Sequence, residues 1–137
     1  MAGYSQKPLP SKLGIKTGQT IKIVNPPPDW DRVIGQWPTD IQSAKHNQLA
    51  DCDVIIAFFE RQKELLSSLP KLIKRLKPSG GLWLAWPKKA SNVPTDLNEN
   101  MIREAALAAG LVDNKVCAIS DIWSGLRIVY RLHDRSK

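Results

Sequence analysis

Apolar residues fall along this 137-residue chain in stretches of two periods. Thr20 to Val24 alternates and is β-branched, which predicts a first strand closed by Asn25-Pro26-Pro27-Pro28. Val54-Ile55-Ile56-Ala57-Phe58-Phe59 is unbroken, as a strand covered on both faces should be, and predicts a strand over Asp53 to Phe59. Leu82 to Trp86 is a further run of this kind, and Pro78-Ser79-Gly80-Gly81 before it predicts a tight turn. From Glu60 to Leu76 the spacing becomes helical, with Leu65, Leu69, Leu72 and Leu76 on one row and Leu66 and Ile73 beside it. Pro70 should kink or restart that helix, with Ser67 or Ser68 as a cap.

The weaker patterns fill the gaps. Asp29 to Gln36 predicts a short helix with Asp29 near its start, and Thr39 to Lys45 a short edge strand around Ile41. Asp96, with Glu99 three residues on, predicts the N-cap of a helix whose apolar face is Ile102, Ala105, Ala106 and Ala109, stopping at Gly110. Asp113 to Ile119 and Leu126 to Leu132 predict an antiparallel hairpin around Trp123-Ser124-Gly125. Alternating strands and helices imply an α/β domain with a mostly parallel sheet and a C-terminal antiparallel hairpin. Residues 1–19, punctuated by Pro8, Pro10, Gly14 and Gly18, read as an N-terminal arm docked through Tyr4, Leu9, Leu13 and Ile15. Residues 20–132 then form the single domain, and 133–137 a polar tail.

Composition narrows the function classes. A hydrophobic fraction of 42% with 24% charged residues fits a globular domain, and no run approaches the roughly 18 to 20 apolar residues of a membrane span. Met1-Ala2-Gly3-Tyr4-Ser5 lacks a signal-peptide apolar stretch, so a cytoplasmic location is expected. The formal charge of +7 would concentrate anions near the surface. Its clusters are Lys71, Lys74, Arg75 and Lys77 at a helix end, where they also answer the helix dipole, and Lys88-Lys89 after a strand. Cys52 and Cys117 are too far apart for a metal knuckle, and each lies in or beside an apolar run, so they read as small packing residues. His46 and His133 have no acid or serine at a recognisable spacing, so no metal site is expected.

Two resemblances follow. Leu76-Lys77-Pro78-Ser79-Gly80-Gly81, Ala108-Ala109-Gly110-Leu111-Val112 and the final hairpin resemble the second half of a class I S-adenosylmethionine-dependent methyltransferase, over roughly residues 50 to 132. That implies a compact Rossmann-like sheet. Gly3-Tyr4-Ser5, Leu13-Gly14-Ile15, Trp86-Pro87-Lys88-Lys89, Arg103-Glu104-Ala105-Ala106, Gly110-Leu111-Val112-Asp113, Lys115-Val116-Cys117-Ala118 and Trp123-Ser124-Gly125-Leu126 are similar to the pattern of a bacterial family catalogued as domain of unknown function 3052.

In class I methyltransferases the first strand ends in a glycine-rich loop whose backbone N–H groups hold the cofactor. Here Pro26, Pro27 and Pro28 stand in that place and remove three donors, so no cofactor is expected, S-adenosylmethionine included. Asp40 or Asp51 would have to replace the acid that holds the cofactor ribose. Asn25-Pro26-Pro27 resembles the Asn-Pro-Pro-aromatic motif of amino-group methyltransferases, but Pro28 occupies the aromatic position.

Ligands of open α/β sheets sit beyond the carboxyl ends of the strands, which nominates Asn25, Trp30, Trp86, Lys88, Lys89, Asp96 and Trp123 as binding residues, with no catalytic residue assigned. The favoured expectation is a non-catalytic methyltransferase-like domain that binds a protein or an anionic small molecule there. The alternatives are an atypical enzyme, with transferase chemistry one option, using Asn25, Lys88 or Asp96, and nucleic-acid binding through Lys88, Lys89, Lys71, Lys74 and Arg75. A crevice filled by Tyr4, Trp30 and Trp123 would favour binding, and an open one lined by Lys88 and Asp96 an enzyme.

Overall fold

The computed structural model describes residues 8–43 and 51–134. Its centre is a six-stranded sheet in the order β2-β1-β3-β4-β6-β5. The strands are β1 (Thr20–Val24), β2 (Gln42–Ser43), β3 (Cys52–Phe58), β4 (Leu76–Pro87), β5 (Leu111–Ala118) and β6 (Trp123–Tyr130). β1, β2, β3 and β4 pair in parallel, while β6 lies antiparallel between β4 and β5. The α/β sheet with an antiparallel C-terminal hairpin is therefore as the alternation implied.

Helices cover both faces. Leu65, Leu69 and Leu72 of α3 (Gln62–Arg75) and Ile102 and Ala106 of α4 (Glu99–Ala108) pack on one face against Ile55, Ala57, Leu82, Leu84 and Trp86. On the other, Leu13 and Ile15 after α1 (Leu9–Lys12) and Trp30 and Ile34 of α2 (Trp30–Ile34) pack against Val54, Ile56, Phe58 and Trp83. Trp83 and Trp86 thus part to opposite layers, as their spacing requires. Trp83 is fully buried, and its indole N–H donates to the Leu13 carbonyl at 2.9 Å, fixing the N-terminal segment to the sheet. Tyr4, Lys45 and His46 lie outside the described residues.

Four expectations need correcting. α3 runs unbroken through Pro70, and Ser67 caps nothing: its hydroxyl donates to the Glu64 carbonyl at 3.0 Å. Burial of Leu65, Leu69 and Leu72 on either side of the proline holds one helix across it. Pro78-Ser79-Gly80-Gly81 is not a turn. α3 passes straight into β4, and Leu76 pairs with Cys52 before an irregularity absorbs the extra residues. Asn98, not Asp96, caps α4, accepting from the Met101 N–H at 2.9 Å. The hairpin turns at residues 119–122, where Ser120 Oγ accepts from the Ile122 and Trp123 N–H groups at 3.2 and 3.1 Å. Trp123-Ser124-Gly125 already belongs to β6, where a Cβ on Gly125 would fall 2.8 Å from Ile119 Cδ1 and require that side chain to shift.

Candidate functional site

The sheet fixes where a crevice must open. From β1 the chain steps outward to β2, then crosses back to β3 and continues through β4 in the opposite direction. β1 and β3 are therefore the switch point, where the connections leave toward opposite faces and a crevice opens between the strand ends. A cavity of about 680 Å³ lies there, lined by Asn25 to Asp29 after β1, by Phe58, Glu60, Arg61 and Glu64 at the β3–α3 junction, and by Val93, Ile122 and Trp123.

Its near wall is the proline segment. Asn25 adopts a left-handed φ of 54° that turns the chain sharply off β1, and its side-chain amide donates to the Phe58 carbonyl at 3.2 Å. The loop turns tightly at Asn25. Asn tolerates this conformation better than most residues, and its amide bond to β3 holds it. The three prolines still present no N–H to the cavity. The Trp30 N–H donates to the Pro27 carbonyl at 3.0 Å, so α2 begins at once, and the Asp29 carboxylate pairs with Arg32 at 2.7 Å.

The floor is aromatic. Trp30 meets Phe58 edge to face at 5.3 Å, and Phe58 meets Trp123 at 5.1 Å, so three rings from three elements lock across the strand ends. The far wall carries charge: Glu60, Arg61 and Glu64 are exposed and form no ion pair with any described residue. Asp96 Oδ1 accepts from the Gln62 N–H at 2.7 Å, so it serves the start of α3 rather than α4, and Thr95 Oγ1 donates to the Glu60 carbonyl. Together they tie the loop that carries Val93 to the charged wall.

The candidates separate accordingly. Asn25 and Trp123 line the cavity, and Trp30 lies beneath it. Trp86 is buried on the opposite face of the sheet, among Leu97 and Ile102. Lys88 is fixed by its backbone, donating to the Ile122 carbonyl at 2.7 Å, and Lys89 opens an exposed helical turn. Neither Lys88, Lys89 nor Asp96 lines the cavity. Phe58, Glu60, Arg61 and Glu64 were missed, although Glu60 and Arg61 follow β3 just as Lys88 and Lys89 follow β4. The same strand-end rule finds them once β1 and β3 are known to be neighbours.

Cofactor geometry can be tested here. Asp51 and Asp40 precede β3 and β2, so both lie at the amino edge of the parallel strands, away from the crevice. Asp51 is moreover bound by Arg75 at 3.1 Å, which holds its carboxyl below the usual carboxylate range. Residues 44–50, which follow β2 in sequence, contain no Asp or Glu. With prolines in place of glycine N–H donors, the described residues do not fit S-adenosylmethionine as class I enzymes hold it. Among the described residues no polar or charged side chain is buried, and no three His, Cys, Asp or Glu side chains converge as metal ligands would.

Residues 11–132 match the model of the family described as Protein of unknown function (DUF3052). The chain belongs to this family. No curated protein matches it. Among solved structures, an S-adenosylmethionine-dependent methyltransferase from Aquifex aeolicus superposes with a TM-score of 0.60 at 16% identity, covering 86% of this chain and 85% of that one. A TehB-like methyltransferase from Corynebacterium glutamicum gives 0.55 at 9% identity, with 95% and 91% covered. The Burkholderia thailandensis 1,6-didemethyltoxoflavin-N1-methyltransferase, solved with S-adenosylhomocysteine bound, gives 0.54 at 11% identity, with 88% and 73% covered. At such identities the likeness is one of fold, and it shows that this DUF3052 member has the Rossmann-like methyltransferase architecture. No helix among the described residues is long and apolar enough to cross a membrane.

Proposed function

We propose that the protein is a non-catalytic methyltransferase-like domain that binds a small molecule or a partner side chain in the crevice beyond β1 and β3. The observation that carries this reading is the composition of the wall: an open cavity of about 680 Å³ faces Pro26, Pro27 and Pro28, where a methyltransferase presents glycine N–H groups. The aromatic floor and the Glu60 and Glu64 carboxylates suit an occupant with an apolar body and hydrogen-bond donors. The anionic occupant expected from Lys88 and Lys89 fits this cavity less well, since neither lysine lines it.

An enzyme in the same crevice is the second reading. It is favoured by the shared fold with the Burkholderia methyltransferase that holds S-adenosylhomocysteine. Calorimetric titration of the full chain with S-adenosylmethionine and with S-adenosylhomocysteine separates the two. No binding heat is expected from either; micromolar affinity for either ligand would overturn the non-catalytic reading.

A further inference from the structure

The crevice beyond β1 and β3 keeps few polar groups for an occupant. Its three prolines have no N–H, and the Asn25 amide is committed to the Phe58 carbonyl at 3.2 Å. The Ile122 and Trp123 N–H groups go to Ser120 Oγ, the Val93 N–H to Ser91 Oγ, and the Gln62 N–H at the start of α3 to Asp96. The Asp29 carboxylate is paired with Arg32. The charge that the lining offers is therefore that of Glu60, Arg61 and Glu64.

These three carry both signs on one wall, yet they form no ion pair with one another or with any described residue. Arg61 is the N-cap of α3, with an extended backbone at φ −128° and ψ 139°, whereas Glu64 lies in the first helical turn. The i, i+3 pair that two helical residues would favour is thus not made. Glu64 has a structural explanation, because a carboxylate in the first turn answers the helix dipole. Arg61 has the opposite sign: a cation at the start of a 14-residue helix faces the positive end of that dipole. A carboxylate brought by an occupant would stabilise it there.

We propose that the crevice takes a free amino acid with a large apolar side chain. The Arg61 guanidinium meets its carboxylate, Glu60 and Glu64 its ammonium group, and Ile122 and Trp123 its apolar body. A simple acid or a simple amine would use only one sign of the wall, and a residue inside a peptide would use neither. This inference rests on the reading of the crevice as a small-molecule site, and names the class of molecule.

Calorimetric titration of the full chain with phenylalanine, leucine, phenethylamine, hydrocinnamate and N-acetyl-phenylalaninamide tests it. Phenylalanine is expected to bind, and its three analogues about tenfold or more weakly, because each leaves a charge of the wall unmatched. Arg61→Gln should lower the affinity for phenylalanine about tenfold and leave that for phenethylamine unchanged. Glu60→Gln with Glu64→Gln should weaken phenylalanine to the same degree and leave hydrocinnamate unchanged. Lys63 shares the start of α3 with Arg61 but lies outside the cavity. Lys63→Gln should therefore match Arg61→Gln in keeping or raising the melting temperature, while binding phenylalanine as the parent does. That pair separates a lost contact from a lost fold. The proposal is overturned if neither phenylalanine nor leucine binds at millimolar concentration, or if Arg61→Gln binds phenylalanine undiminished. Equal affinity for phenethylamine or hydrocinnamate also overturns it, and leaves the crevice a site for a singly charged molecule. Equal affinity for N-acetyl-phenylalaninamide overturns it in favour of a partner's side chain. Micromolar binding of S-adenosylmethionine instead overturns the non-catalytic reading, and the inference with it.

Discussion

The two edges of the parallel sheet treat charge in opposite ways. At the amino edge, Asp53 accepts from the Thr20 N–H at 2.8 Å and from Lys77 at 3.0 Å, and Asp51 holds Arg75 through two contacts at 3.1 and 3.3 Å. Arg75 and Asp51 side chains are only 12% and 17% exposed, so each charge there is committed to its neighbour. At the carboxyl edge, Glu60, Arg61 and Glu64 surround an open cavity, and none is paired with a described residue. The contrast teaches that basic and acidic residues of equal prominence in the sequence do different work. One edge uses charge to join α3, β3 and β4, while the other leaves it available to an occupant.

That contrast can be tested from its strongest consequence downward. A Cβ at Gly80 would fall 2.8 and 2.9 Å from the Asp53 and Cys52 carbonyl oxygens, so Gly80→Ala forces β4 away from β3 at the amino edge. A loss of about 2 to 3 kcal/mol is expected in denaturant unfolding. A neutral result would show that this edge is looser than its ion pairs imply.

Arg75→Ala leaves Asp51 without its partner and should cost about 1 to 2 kcal/mol at neutral pH. The Arg75 guanidinium lowers the Asp51 pKa from its ordinary 3.8. Stability from that shift is present above the ordinary value and is lost as pH falls through the lower, folded one. The parent should therefore lose stability below about pH 4 more steeply than Arg75→Ala, and parallel pH curves for the two would dissolve the assignment.

The smallest effect belongs to the other edge. Glu60→Gln with Glu64→Gln should change stability by no more than about 0.5 kcal/mol, because neither carboxylate is paired with a described residue. A loss above about 1 kcal/mol would make these groups structural and erase the difference between the edges.

Local patterns carried much of this molecule. The unbroken run at residues 54–59 and the alternation at 20–24 marked β3 and β1, because burial on two faces or one imposes those periods directly. The leucine rows marked α3, and Gly110, at a φ of 90°, closes α4 as its position implied. The cap of α4 was assigned to Asp96, whereas Asn98 holds that place. Thr95, Asp96 and Asn98 all offer an oxygen near the start of α4, and packing alone sends Asp96 to α3 and leaves Asn98 to cap. Of the seven candidates Asn25 and Trp123 line the cavity and Trp30 lies beneath it, while Phe58, Glu60, Arg61 and Glu64 were missed and Trp86, Lys88, Lys89 and Asp96 fell outside.

The sequence by itself determined the α/β class, the family and the absence of glycine N–H donors after β1, since each is a property of contiguous residues. Only the tertiary structure decided that β1 adjoins β3, and so where the crevice opens and which charges face it. It alone separated Lys88 from Arg75, at opposite ends of β4. Strand order and side-chain neighbours depend on contacts between residues far apart in the chain, and no local period records which of several compatible pairings buries the core.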